Sequence, residues 1–129
     1  QLTPRFLINL GNGEKRPFAG APFSMGNKIQ AVSAIGNPER FYQLLDKLPY
    51  QLEKFSFPDH HLFSESDFED RGIDMQQPVV MTEKDAVKCR QFAMPNFWYL
   101  SVDVKLQQEF LDPSLERLKQ LRTHQATSQ

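Results

Sequence analysis

Cysteine is nearly absent. Cys89 stands alone among 129 residues, so no disulfide can close within the chain, and a reducing compartment suits it. No apolar run approaches the roughly 20 residues that cross a bilayer, and no signal peptide opens the sequence. Charge of one sign is lacking too. Fifteen basic residues face 16 acidic ones, and a net charge of −1 provides no field that would gather nucleic acid. Glycine numbers only 6, and none falls in a GxxxxGK[ST] pattern, so no loop here cradles a nucleoside triphosphate. "GNPERF" (36–41) lacks the later glycines of a dinucleotide fingerprint, and no Ser or Cys stands in a recognisable nucleophile context. There are no internal repeats and no long low-complexity tract.

What is present fits one soluble globular domain: 40% hydrophobic residues, 24% charged, and enough length for a single core. Phenylalanine is common at 11, which suggests an aromatic-rich core or an exposed apolar cleft, with Phe18 and Phe23 as candidates for uncovered surface. The chain starts at Gln1 without methionine and runs straight into a strand pattern, as a piece of a longer polypeptide would.

In "RFLINLGNGEKRPF" (5–18), Phe6, Ile8 and Leu10 alternate with Leu7 and Asn9 before Gly11-Asn12-Gly13, a strong hairpin signal. "AGAPFSMGNK" (19–28) reads as a connection, which sets residues 1–28 apart as hairpin and linker. Residues 29–124 read as a compact α/β lobe and 125–129 as a frayed tail. Within the lobe, strands alternate with helices. "IQAVSAI" (29–35) ends at Gly36; Asn37 caps a helix with Pro38 at its first position and Phe41, Leu44, Leu45 and Leu48 on one face. "QLEKFSF" (51–57) is a second strand, closed by Pro58, and Ser64 with Asp67 resembles a capping box for a short helix carrying Phe68. "PVVMT" (78–82) is a third strand, after which Thr82 and Asp85 open a helix. "FWYLSVDV" (97–104) is a fourth, with Trp98, Leu100, Val102 and Val104 on one face. Asp112-Pro113 caps a last helix bearing Leu115, Leu118 and Leu121. The predicted fold is therefore α/β, a mainly parallel sheet of about four strands with flanking helices, preceded by a β-hairpin linker.

Parallel sheets meet ligands beyond the carboxyl ends of their strands. "GNPER", "PDHH" and "TEKD" each follow a strand and should share that rim. Asn37 and Arg40 are explained by capping and turn chemistry, or by an anion held on a helix N-terminus. Thr82 and Asp85 are cap residues; capping leaves Glu83 and Lys84 unexplained, and a lysine there opposes the helix dipole. Asp59 is a turn former, His61 a residue flanking the turn, and His60 an acid–base candidate at a strand's carboxyl end. A zinc site fails on ligand count, since His124 and Cys89 lie far along the chain. A receiver-like reading, with Asp59 as phosphoacceptor helped by Thr82 and Lys84, lacks the acidic cluster that holds Mg²⁺.

"SAIGNPERFYQLL", "FPDHHLFSESD", "VVMTEKDAVKCRQF" and "FWYLSVDVKL" together resemble the C-terminal part of the tetraacyldisaccharide 4′-kinases, the lipid A 4′-kinases of Gram-negative bacteria. "INLGNGEKR" resembles the hairpin that links the two lobes in that family, and the likeness runs from about Asn9 to Leu106. Ser33-Ala34 and Ser101 stand where relatives often carry other residues, away from the "DH" and "TEKD" positions. The resemblance implies a Rossmann-like lobe of a P-loop kinase active in lipopolysaccharide synthesis. It implies transfer of the γ-phosphate of Mg-ATP to the 4′-hydroxyl of a tetraacylated disaccharide 1-phosphate, at the cytoplasmic face of the inner membrane. The P-loop, the catalytic aspartate and the membrane contact belong to an N-terminal lobe that these residues do not include. The resemblance makes His60 half of a pair whose other half is that lobe's aspartate. Alone, the chain is expected to be inactive and to hold no cofactor. The alternative is a stand-alone small-ligand or phosphate-binding α/β module resting on "GNPER" and Lys84.

Overall fold

The computed structural model describes residues 4–18 and 28–111. The elements in order are β1 (Pro4–Asn9), β2 (Lys15–Pro17), β3 (Lys28–Ser33), α1 (Pro38–Leu45), β4 (Gln51–Ser56), α2 (Glu65–Asp70), β5 (Val79–Thr82), α3 (Glu83–Cys89), β6 (Phe97–Val102) and α4 (Val104–Leu111). They form one six-stranded sheet in the order β2-β1-β6-β5-β3-β4. Strands β3 to β6 are mutually parallel, and β1 and β2 add to the β6 side antiparallel. The sheet is α/β, mostly parallel and consistent with a Rossmann-like fold: the four strands of the alternating pattern plus the two of the hairpin.

Strand side chains alternate between two cores. Leu7, Ile29, Ala31, Val80, Trp98 and Leu100 pack on the face covered by α1 and α4, through Phe41, Leu44, Leu45 and Phe110. Val32, Phe55, Val79, Met81 and Phe97 pack on the other face, under Phe68 of α2 and Ala86 and Cys89 of α3. With both faces covered, β5 is buried along its whole length, as a central parallel strand requires. Many of the phenylalanines serve this second core. Phe63, Phe68, Phe92 and Phe97 touch in sequence, with ring centroids 5.3 to 6.4 Å apart along the series.

Two expectations fail. The fourth strand stops at Val102, and Val104 opens α4 instead of continuing the strand. Alternation alone could not tell those two outcomes apart, because Val104 fits the strand's apolar face as well as a helix start. Asn37 does occupy the cap position of α1, but its side chain makes no cap bond there; its amide donates to the Glu109 carbonyl at 3.1 Å. The helix expected from Asp112, with Leu115, Leu118 and Leu121, the tail 125–129, His124, and the connection 19–27 lie outside the described residues. The hairpin turn is organised by Asn9, whose side-chain oxygen accepts from the Gly11 and Asn12 amides while its Nδ2 donates to the Pro95 carbonyl at 2.7 Å.

Tyr42 ties α1 to the sheet. Its hydroxyl lies 2.7 Å from both Ser33 Oγ and Ser56 Oγ, bridging the carboxyl ends of β3 and β4. Burial pushes the Tyr42 phenol above its ordinary range. Tyr42→Phe strands the fully buried Ser33 hydroxyl, and a loss of about 1–3 kcal/mol is expected. Urea denaturation of the two proteins side by side measures it, and equal midpoints at equal slope would refute the bridge's contribution.

Candidate functional site

The βα turns after β3, β4 and β5 emerge from parallel neighbours, so "GNPER", "PDHH" and "TEKD" share the carboxyl rim of the sheet. The sequence reading of one rim holds. The order across it is PDHH at the β4 edge, GNPER next, then TEKD. The strand order reverses between β3 and β5, the place where open α/β sheets part to form a crevice.

At that crevice the two inner turns are bonded together. Asp85 is fully buried; its Oδ2 accepts the Ala34 amide at 3.0 Å and the Thr82 hydroxyl at 2.9 Å. Thr82 Oγ1 in turn accepts the Asp85 amide, giving the N-cap of α3. Asp85 Oδ1 has no hydrogen-bond partner among the described residues. Burial raises the Asp85 carboxyl above its usual range, opposed by the Ala34 amide, the Thr82 hydroxyl and the charges of Lys88 and Lys84. Glu83 is exposed and Lys84 half-buried; both line a small apolar cavity with Leu100, Val102 and Phe110.

In the GNPER turn, the Asn37 backbone amide donates to the Phe110 carbonyl at 2.8 Å, and Arg40 Nε meets Glu109 Oε1 at 3.2 Å. Glu109 is almost fully buried. Asn37 and Arg40 are thus committed to the end of α4, and that contact accounts for both residues without an anion.

The two histidines of PDHH differ sharply. His61 is held in place: its ring stacks on Phe57 at 5.0 Å between centroids, and its Nε2 lies 3.0 Å from Asp67 Oδ2. That same Asp67 oxygen accepts the Ser64 amide at 2.8 Å, which is the carboxylate half of the expected capping box. The Ser64 amide first, and His61 next, hold the Asp67 carboxyl below the ordinary aspartate range. His60 points outward with 76% of its side chain exposed, and its nearest partner is Asp59 Oδ2 at 3.6 Å. Its φ is +66°, the left-handed region that side chains with a Cβ rarely adopt. It is the only non-glycine residue so placed among the described ones. Such strain persists where surrounding contacts over-determine it, and it concentrates at functional sites.

Chemically, the rim offers one solvent-facing imidazole beside a carboxylate, able to take or give a proton. Cys89 is no nucleophile; burial pushes its thiol up to about 12. The sequence reading missed Lys88, whose Nζ donates to the His61 carbonyl at 3.1 Å, and Arg71, whose guanidinium sits 4.6 Å from the Phe57 ring centre. For Lys88 a signal existed: it follows Asp85 by three residues and so lies on the same side of α3.

An α/β domain whose parallel strands end on one polar rim belongs to the class of Rossmann-like folds that face their ligands with the turns beyond those strands. More narrowly, the chain belongs to the tetraacyldisaccharide-1-P 4′-kinase family, which matches residues 1–120. The tetraacyldisaccharide 4′-kinase of Pseudomonas aeruginosa strain PAO1 is 40% identical over 121 residues, covering 92% of this chain and 35% of the relative. That of Pseudomonas fluorescens strain SBW25 is 45% identical over 103 residues, covering 80% and 29%. That of Pasteurella multocida strain Pm70 is 37% identical over 122 residues, covering 94% and 35%. The chain therefore spans about a third of the length of the curated relatives it matches. No solved structure matches it significantly. No helix among the described residues is long and apolar enough to cross a membrane.

The division between the histidines can be measured. His61→Ala, which removes a stack and a hydrogen bond to a carboxylate, should cost about 1–2 kcal/mol. His60→Asn should cost nothing and stabilise by up to about 1 kcal/mol, since Asn tolerates the left-handed region better. The capping contribution of Asp67 has a defined direction with pH. Its folded carboxyl titrates below the unfolded one, so the contribution is complete above the ordinary aspartate range. It is lost as pH falls through the lowered value. Thermal midpoints of the variants against pH check both, and a larger loss from His60→Asn than from His61→Ala would reverse the assignment.

Proposed function

We propose that this chain is the C-terminal lobe of a kinase. The reaction moves the γ-phosphate of Mg-ATP onto the 4′-hydroxyl of a tetraacylated disaccharide 1-phosphate during lipid A synthesis. The observation that carries this reading is His60, an outward imidazole on the ligand-facing rim, kept in a strained turn and free of the structural contacts that occupy His61. The family match supports the substrate class.

Mg-ATP does not fit the described residues. The amide at the start of α1 is occupied by α4, α3 is capped by its own Thr82, and no cluster of three potential metal ligands converges among the described residues. The family resemblance is what assigns nucleotide, metal and the membrane contact to an N-terminal lobe in this reading. What this chain contributes is His60. Across the cleft its imidazole hydrogen-bonds a carboxylate of the other lobe, fixes that group's orientation and tunes its proton affinity while the attacking hydroxyl loses its proton. Phosphoryl transfer depends mostly on positioning and charge, so a lobe that closes to complete the geometry suits the chemistry. The first residues of β1 support the arrangement, because Pro4 pairs with Val102 and so enters at the carboxyl rim. Polypeptide preceding β1 would arrive at the rim on the TEKD side, across the sheet from PDHH. The stand-alone phosphate-binding reading gains no support from Asn37 or Arg40, which bind α4. The parent enzyme would act as a peripheral protein at the cytoplasmic face of the inner membrane.

The test is a chimera in which this chain replaces the matching third of the Pseudomonas aeruginosa kinase. It should phosphorylate tetraacyldisaccharide 1-phosphate, and His60→Ala should lower its kcat by roughly 10²–10⁴-fold with little change in KM. An inactive but folded chimera, or a His60→Ala variant of full activity, would remove the proposal. A separate expectation concerns the chain by itself: calorimetry should find no saturable sub-millimolar binding of Mg-ATP, and such binding would return the phosphate-module reading.

A further inference from the structure

The turn that carries His60 is held from a helix that belongs to a different part of the rim. His60 is the third residue of the turn Pro58–His61, which is closed by the His61 amide donating to the Pro58 carbonyl at 3.0 Å. A residue with a Cβ gains by leaving the left-handed region, so the turn keeps this form only while its flanks are fixed. Pro58 fixes one flank through its ring. On the other, three kinds of contact hold His61: aromatic packing on Phe57 and Phe63, the bond to Asp67, and the Lys88 ammonium on its carbonyl at 3.1 Å. The first two come from the loop's own neighbourhood, the residues just after β4 and helix α2. Only the third reaches in from α3. One turn earlier on that helix, Asp85 takes the Ala34 amide at 3.0 Å. Helix α3 thus grips both turns beside it, the β3 turn with Asp85 and the β4 turn with Lys88.

We propose that Lys88 is a positioning residue for His60: its ammonium fixes the His61 carbonyl and so aims the neighbouring imidazole across the rim. The functional half of this statement rests on the kinase reading of His60; the mechanical half does not. A bond to a charged donor is stronger than a neutral one, and this donor is half-buried, where water competes less. The long stem of Lys88 would be matched in volume by methionine, so packing and charge can be separated.

Native-state amide exchange on the 129-residue chain tests the mechanical half. Lys88→Met should speed exchange of the His61 amide by roughly tenfold while amides of β5 and β6 keep their rates, and Lys88→Arg should restore the parent rate to within about threefold. In the active chimera, Lys88→Met should lower kcat about tenfold with KM unchanged. The proposal is overturned if the His61 amide of Lys88→Met exchanges within about twofold of the parent, or if strand amides accelerate with it, which would mark a global stability effect. It is equally overturned if the turn loosens and kcat does not move. A chimera inactive before any substitution refutes the kinase reading instead, and the exchange rates still decide the role of Lys88 in the turn.

Discussion

The rim depends on one buried carboxylate. Asp85 lies where the strand order reverses, at the point where a crevice would otherwise open, and its bond to the Ala34 amide ties the β3 turn to the β5 turn. The rest of the rim hangs on that joint: the GNPER turn continues from Ala34, and α3 carries Lys88 towards the PDHH turn. The joint has a cost. One carboxylate oxygen accepts two hydrogen bonds while the other, fully buried, accepts none among the described residues. Burial raises the carboxyl's pKa, so the folded state holds that proton more tightly than the unfolded chain does. The stabilisation present at low pH is lost as pH rises through the raised value. A domain selected for stability alone would do better with a neutral group there. A fixed crevice wall is a different requirement, and one carboxyl oxygen that accepts from both turns meets it.

The fold was legible because its signals were redundant. Strand runs, glycine and proline punctuation and cap pairs at Ser64–Asp67 and Thr82–Asp85 all pointed to the same alternation, and parallel order then placed three turns on one rim. What failed was local and long-range at once. Asn37 reads as a helix cap because caps are written in neighbouring residues. Its real partners, the carbonyls of Glu109 and Phe110, lie more than 70 residues away and come from a helix whose start was itself misread as strand. Arg40 follows the same logic: a basic residue near a helix start suggests an anion, and only the tertiary structure reveals the buried Glu109 beside it.

The histidine pair shows a subtler limit. Composition and order separated His60 from His61 only as an acid–base candidate from a residue flanking the turn, and resemblance to a family then gave His60 the paired role. The structure separates them by physical means. An aromatic stack and a carboxylate bond immobilise His61, and each needs a partner in a specific place: Phe57 just past β4, and Asp67 in the first turn of α2. His60 has neither and sits at a positive φ that no sequence pattern announces, because Pro-Asp-His lacks the glycine that usually marks such a turn.

The two residues then work as a unit. Under the proposed function, any contact His60 made for its own stability would compete with one across a cleft. Strain at residue 60 therefore has to be offset at residue 61, and the more firmly His61 is tied to Phe57, Asp67 and Lys88, the less His60 needs to touch within its own lobe. That division explains why two adjacent histidines differ so much in exposure, 76% of the side chain for one and 27% for the other. The exposed ring faces solvent, 3.6 Å from Asp59 Oδ2, and under the proposed function its hydrogen-bonding capacity goes to a partner outside this lobe. The half-buried one commits its capacity to Asp67, and so fixes the direction in which its neighbour faces.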